Sequence, residues 1–199
     1  MIFATGNMHK LRELRELLPG VDLLPLPEGL KLPPENGSSF AEIALAKARA
    51  AHAATGEATV ADDSGIEAAA LGRRPGIHSA RFAGEGATDE ENLTKLLRDV
   101  DAAGGERRAA YVCALALVEG NGAERVFEAR CEGRLIDRPR GKGGFGYDPA
   151  FVPDDTGPED RRTMSELTRA EKNEISHRGR AARLLAGHLE VDEAAPASR

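Results

Sequence analysis

The chain has 199 residues, 41% of them apolar and 30% charged, with a formal net charge of −6. That length suits one domain with a sizeable core, and the acidic balance argues against a broad nucleic-acid surface. No apolar run approaches the roughly 20 residues that span a bilayer, so no membrane partner is expected.

The opening "MIFATGNMHK" reads as a strand, a tight loop and a helix, because leucines follow at Leu11, Leu14, Leu17 and Leu18. The free N–H groups at such a helix start favour an anion, and Lys10 adds a positive charge; the plainer reading is an ordinary βα connection with Asn7 at the cap. This opening lacks the basic region and cleavage site of a signal peptide, so a cytoplasmic protein is expected. The loop "LKLPPENGSS" follows "VDLLPLP" and excludes regular structure. Then "SSFAEIALAKARAAHAAT" reads as a long alanine-rich helix with Ser39 as N-cap and Glu42 in its first turn. "ATVADDSG" is a short strand ending in two carboxylates, with Ser64 and Gly65 turning the chain away. "TDEENLTKLLRDV" is a helix opened by a Thr88–Glu91 capping box, and "GNGA" joins two strands into a hairpin, so the sheet is mixed. Cys113 and Cys131 fall in strands without metal spacing and are expected as buried thiols. Between Arg161 and Arg183 there are seven Lys or Arg against three Glu, either a solvated face or one wall of an anion site. The last helix is read from about Ser176 to Leu189, within one domain over 1–190, and 191–199 as a disordered tail.

Two stretches carry chemistry. "GKGGFGYDPAF" fits G-x-G-x-x-G, but no strand precedes it and Asp148-Pro149 does not open a helix, so the dinucleotide reading fails on context. What remains is a flexible loop presenting Phe145, Tyr147 and Asp148, able to stack on a flat ring, or a hairpin loop with Phe145 in the core. In "ADDSG", alternation along a strand points Asp62 and Asp63 different ways, and one of them can hold a divalent metal or a water; an Asx turn is the alternative.

Taken in order, "TGNMHK", "ENGSSFAEIALAKA", "ADDSGIEAAALGRRPGIHSARFAG", "GKGGFGYDPAF" and "EKNEISHRGRA" resemble the inosine triphosphate pyrophosphatase family, from Phe3 to about Leu189. The resemblance implies an elongated mixed α/β fold with two lobes around a central cleft, a homodimer, a magnesium requirement, and cleavage of ITP, dITP and XTP to the monophosphate and pyrophosphate. It also implies roles. Thr5, Gly6, Asn7, Met8, His9 and Lys10 bind the triphosphate, with Lys47 facing phosphate. Asp63 is the catalytic base and a metal ligand, and Ser64 contacts substrate. Phe145, Gly146, Tyr147 and Asp148 hold the nucleoside, while Lys172, His177 and Arg178 contact the purine. The chain departs from the family twice. Ile43 stands where the family has asparagine in the second helix, and a proline aligns with the second metal carboxylate, leaving Glu35 or Glu42 for that part. A Maf-like pyrophosphatase of other base preference and a non-catalytic nucleotide sensor are the alternatives. The richer Ser/Arg loop of the former and the intact "ADDSG" here count against them.

Overall fold

The computed structural model describes residues 1–194. In chain order its elements are β1 (Ile2–Phe3), α1 (Met8–Leu17), β2 (Leu24–Pro25), α2 (Phe40–Thr55), β3 (Thr59–Ala68), α3 (Asp89–Ala102), β4 (Arg108–Val118), β5 (Glu124–Leu135), β6 (Phe151–Pro153), α4 (Arg169–Ile175) and α5 (His177–Ala194). The six strands form one sheet in the order β2-β1-β3-β4-β5-β6. Strand β1 runs parallel to both β2 and β3, whereas β5 and β6 are antiparallel. Five residues join β4 to β5, far too few for a parallel crossover, so this pair is the expected hairpin. The result is the mixed α/β architecture. No helix among the described residues is long and apolar enough to cross a membrane.

Contacts divide the chain into two compact units. One comprises 1–63, 113–129 and the chain from 178; the other comprises 64–112 and 130–177. In the first, α1 places Leu11 and Leu14 one turn apart on the same face, against Phe3, Val60, Leu115 and Leu117 from the sheet and Ala181, Ala182 and Leu185 from α5. Each such leucine contributes about 1.5–3 kcal/mol by leaving water. The buried residues of α2 are Phe40, Ile43, Ala44, Lys47, Ala48 and Ala51, spaced at three and four. Lys47 is therefore buried by helical phase, among alanines small enough to leave room for its stem. In the second unit Ile66, Leu93, Leu96, Val100, Tyr111, Leu135 and Phe151 are part of a separate core. Cys113 and Cys131 are both buried free thiols.

Helix starts match the sequence reading closely. Ser39 caps α2, and Thr88 and Glu91 form the reciprocal capping box of α3. Two readings need correction, and one helix is additional. Strand β3 does not end at its carboxylates but stays extended through Ser64 and Gly65 to Ala68. Gly65 is there for close approach: a Cβ on it would lie 2.4 Å from Ser79 Oγ and 2.5 Å from Gly76 O. That hydroxyl accepts from the Ile66 N–H at 2.9 Å and donates to Gly76 O at 2.6 Å, tying the 3-10 segment Gly76–Arg81 to the strand. Secondly, the final helix is preceded by a separate one. Thr168 and Glu171 form a capping box that opens α4, and Ser176 is extended at φ −65, ψ 154 before α5 begins. Thirdly, Asp148-Pro149 does open a turn of 3-10 helix over Asp148–Ala150. Helix α5 carries the backbone past Leu189 to Ala194, and the remainder of the expected tail, 195–199, lies outside the described residues.

Candidate active site

In the first unit the opening loop is organised by Asn7. Its Oδ1 accepts from the backbone N–H of His9 at 2.9 Å and of Lys10 at 3.3 Å, while Thr5 Oγ1 accepts from Asn7 N–H at 3.1 Å. The cap satisfies two of the helix's open donors, and Gly6, Asn7, Met8 and His9 are exposed around them. The loop is thus the plain capped βα connection, with Asn7 as the N-cap of α1. Lys10 leaves this loop for β3, where its Nζ lies 2.5 Å from Asp62 Oδ1.

Alternation along β3 gives its two aspartates different partners. Asp62 is 2% exposed. Its Oδ2 accepts from Arg178 Nε at 3.1 Å and Nη2 at 3.0 Å, and Arg178 Nη1 donates to Glu13 at 2.6 Å. Burial works against the Asp62 charge, but Lys10 and Arg178 outweigh it and hold the carboxyl well below the usual carboxylate range. Asp63 instead takes Lys47 at 2.8 Å, and the same ammonium lies 2.5 Å from Glu35 Oε1. Here burial prevails, and the Asp63 carboxyl is pushed up to about 6 against the pull of Lys47.

The two candidates for a second metal carboxylate differ in their partners. Asp63 and Glu35 are gathered on one ammonium, in the position a small cation occupies between two carboxylates. Glu42 is not: its Oε2 accepts from the N–H and the hydroxyl of Ser38, each at 2.8 Å, which makes it part of the helix start. Among the described residues no three acidic, histidine or cysteine side chains form a ready metal cage. Magnesium needs only one or two carboxylates, the remainder being water and substrate phosphate, so Asp63 with Glu35 suits it.

In the second unit the glycine-rich loop is built around Asp148, which is 4% exposed. Its Oδ2 accepts from Phe145 N–H at 3.0 Å and from Lys172 Nζ at 2.8 Å, and its Oδ1 accepts from the Tyr111 hydroxyl at 3.0 Å. The Lys172 ammonium stands 5.0 Å from the centroid of the Phe145 ring. Tyr147 is buried and donates to Ser79 O at 2.6 Å, and Gly146 N–H donates to Asp89 at 2.7 Å. Tyr111 stacks on His177, with centroids 4.6 Å apart and planes at 6°. Ser64 is half-buried in β3, next to Asp63.

Neighbours in sequence thus separate in space. His177 joins Tyr111, whereas Arg178, expected on the purine, is 2% exposed and bound to Asp62 and Glu13. Sequence reasoning passed over Glu13, Tyr111 and Asp62 as parts of these groups. Glu13 sits half-buried at the edge of the apolar face of α1 and Tyr111 inside an apolar strand, and neither position carries a local signal.

The Ham1 family model matches residues 1–188. A protein named dITP/XTP pyrophosphatase from Mycolicibacterium paratuberculosis is 48% identical, covering 96% of each chain. One of the same name from Geobacillus kaustophilus is 46% identical over 91% of this chain and 89% of the relative. Among solved structures, a HAM1 protein from Coxiella burnetii superposes with a TM-score of 0.87 at 41% identity, covering 96% of this chain and 98% of the other. The Staphylococcus aureus Ham1 protein gives 0.85 at 35% identity, with the same coverage. Family model, relatives and structures agree across nearly the whole chain, and the protein belongs to the Ham1 family.

Proposed function

We propose that this chain is a nucleoside triphosphate pyrophosphatase that cleaves the triphosphates of deaminated purines, namely dITP, ITP and XTP, to the monophosphate and pyrophosphate. The observation that carries the reading is the buried group in which Lys47 holds Asp63 and Glu35 together, in a chain nearly half identical to proteins named dITP/XTP pyrophosphatase. In this reading Asp63 orients a water and takes its proton as the oxygen attacks the α-phosphorus; the bond to the β-phosphate oxygen breaks, and pyrophosphate leaves. Lys10, Lys47 and the loop Thr5–Asn7 bind the phosphates. Asp63 and Glu35 would hold magnesium, which when bound would supply charge neutralisation of the triphosphate. Phe145, Tyr147, Lys172 and His177 serve the nucleoside, and the ammonium and imidazole can donate to the six-oxo group that adenine lacks. The enzyme works as a homodimer on the cytoplasmic nucleotide pool, removing purines that a polymerase would otherwise incorporate.

Pyrophosphate release from dITP, XTP, dATP and dGTP, measured with and without magnesium, tests the proposal. Metal-dependent turnover of dITP and XTP, at least tenfold above dATP, is expected. Equal turnover of all four, or binding without release, refutes it. Sedimentation of the purified chain tests the dimer.

A further inference from the structure

We infer that Asp148 acts through Lys172: its carboxylate fixes the ammonium beside the Phe145 ring, and this placement sets the preference for six-oxo over six-amino purines. The inference rests on the proposed nucleotide site and assigns Asp148 a positioning role in place of a direct contact with the nucleoside.

The carboxylate is filled from the protein side. Oδ1 takes the Tyr111 hydroxyl, and Oδ2 takes both the Phe145 N–H and the Lys172 ammonium. Gly144 packs closely against Oδ2. Gly144 lies at φ +71, and a Cβ there would be 2.1 Å from Oδ2. A carboxylate 4% exposed whose charge is met by three protein donors is placed to orient those donors. It is the point where β4, the glycine loop and α4 meet.

Lys172 depends on that point. It sits in a helix of seven residues, and its stem has many rotamers in water, so an unanchored ammonium would rarely occupy one place. Asp148 holds it by a charge-assisted hydrogen bond, and Phe145 adds a ring face 5.0 Å away. A fixed obligate donor discriminates. It pairs with a carbonyl oxygen at purine position six and meets the amino group of adenine donor to donor, a mismatch worth about tenfold or more. The Tyr111 hydroxyl on the other oxygen extends the same support to the ring stacked on His177.

The test uses Asp148→Asn, Lys172→Met and the double variant. Pyrophosphate release from dITP and dATP reports turnover. Equilibrium binding of the same two nucleotides in an Asp63→Asn background reports base preference without it. Asp148→Asn is expected to raise KM for dITP about tenfold, and to lower the dITP:dATP ratio of kcat/KM about tenfold, with inhibition by inorganic tripolyphosphate changed less than twofold. The double variant should be no worse than Lys172→Met alone. Losses equal for dITP and dATP, additive losses in the double variant, or unchanged preference in Lys172→Met overturn the inference. The last variant decides the matter even if Asp148→Asn does not fold. Absence of pyrophosphate release from wild type, together with a binding preference that Asp148→Asn abolishes, sinks the hydrolase reading and leaves this one standing.

Discussion

Arg178→Ala separates two views of that residue, as a reader of the base and as a buried counter-ion. The guanidinium makes two hydrogen bonds to Asp62, at 3.1 and 3.0 Å, and one to Glu13 at 2.6 Å, while 2% exposed. Removing one member of a buried ion pair costs about 3–5 kcal/mol, because the other charge stays behind without its partner. Lys10, 2.5 Å from Asp62, still compensates part of the charge, which favours the lower end. Against a total stability of about 5–15 kcal/mol, such a loss lowers the melting temperature by about 10 °C. Its dependence on pH identifies the cause. Asp62 titrates below its ordinary 3.8 in the folded chain, so its contribution is complete above 3.8 and is lost as pH falls through the folded value. The gap in melting temperature between wild type and Arg178→Ala should therefore be constant from pH 5 to 8 and shrink below pH 4. Adding Asp62→Asn should recover part of the loss at neutral pH. Thermal melts across that range, paired with kcat/KM for dITP and dATP, provide the assay. A variant that melts within about 2 °C of wild type while losing its preference for dITP would refute the counter-ion view and restore Arg178 to the base.

The other expectations follow from the same geometry. Asp63→Asn should reduce kcat/KM by about two orders of magnitude or more, since an amide takes no proton. In EDTA the same variant should be more stable than wild type. The folded Asp63 carboxyl titrates at about 6 against an ordinary 3.8, so its ionisation opposes folding by up to about 3 kcal/mol above pH 6. That gain should fade as pH falls from 6 and be gone below 3.8, which melts in EDTA at pH 3.5 and 8 will check. Lys10→Ala should weaken inhibition by tripolyphosphate, most at low salt, with the dITP:dATP ratio within about twofold of wild type; a changed ratio would remove Lys10 from the phosphates. Gly65→Ala should lower stability by about 1–3 kcal/mol through its clash with Ser79 and Gly76, whereas Gly6→Ala, with open space at its Cβ, should leave the melt unchanged.

What could be read from the sequence was whatever neighbours in the chain decide. Ser39, and the Thr88–Glu91 pair, each fix a helix start within one turn, and "GNGA" closes a hairpin over five residues. The same rule makes Thr168 and Glu171 a legible start for α4, a signal overshadowed by the apolar spacing that follows. Gly65 misled because a glycine after two aspartates is usual in a turn, and the reason for it lies in Ser79, fourteen residues on. The charged groups were half legible. Alternation separates Asp62 from Asp63, but the Arg178 that balances Asp62 is 116 residues away, and Glu35 reaches Lys47 from a loop without periodicity. Asp148 was read as a ligand contact, and only the fold reveals the protein donors that it also holds, from Tyr111, Phe145 and Lys172.

The division of the chain into its two units bears on how the protein is made. Ribosomes release the N-terminus first, yet the first unit needs Ala181, Ala182 and Leu185 from α5 to cover Leu11, Leu14 and Phe3. Those three early residues lack part of their cover until α5 has been made. A message cut short before α5 thus yields a polypeptide with an exposed apolar face and no Arg178 to balance Asp62, a ready substrate for proteases. Quality control of synthesis is in this way written into the topology: only a chain that includes α5 is able to bury its own beginning fully.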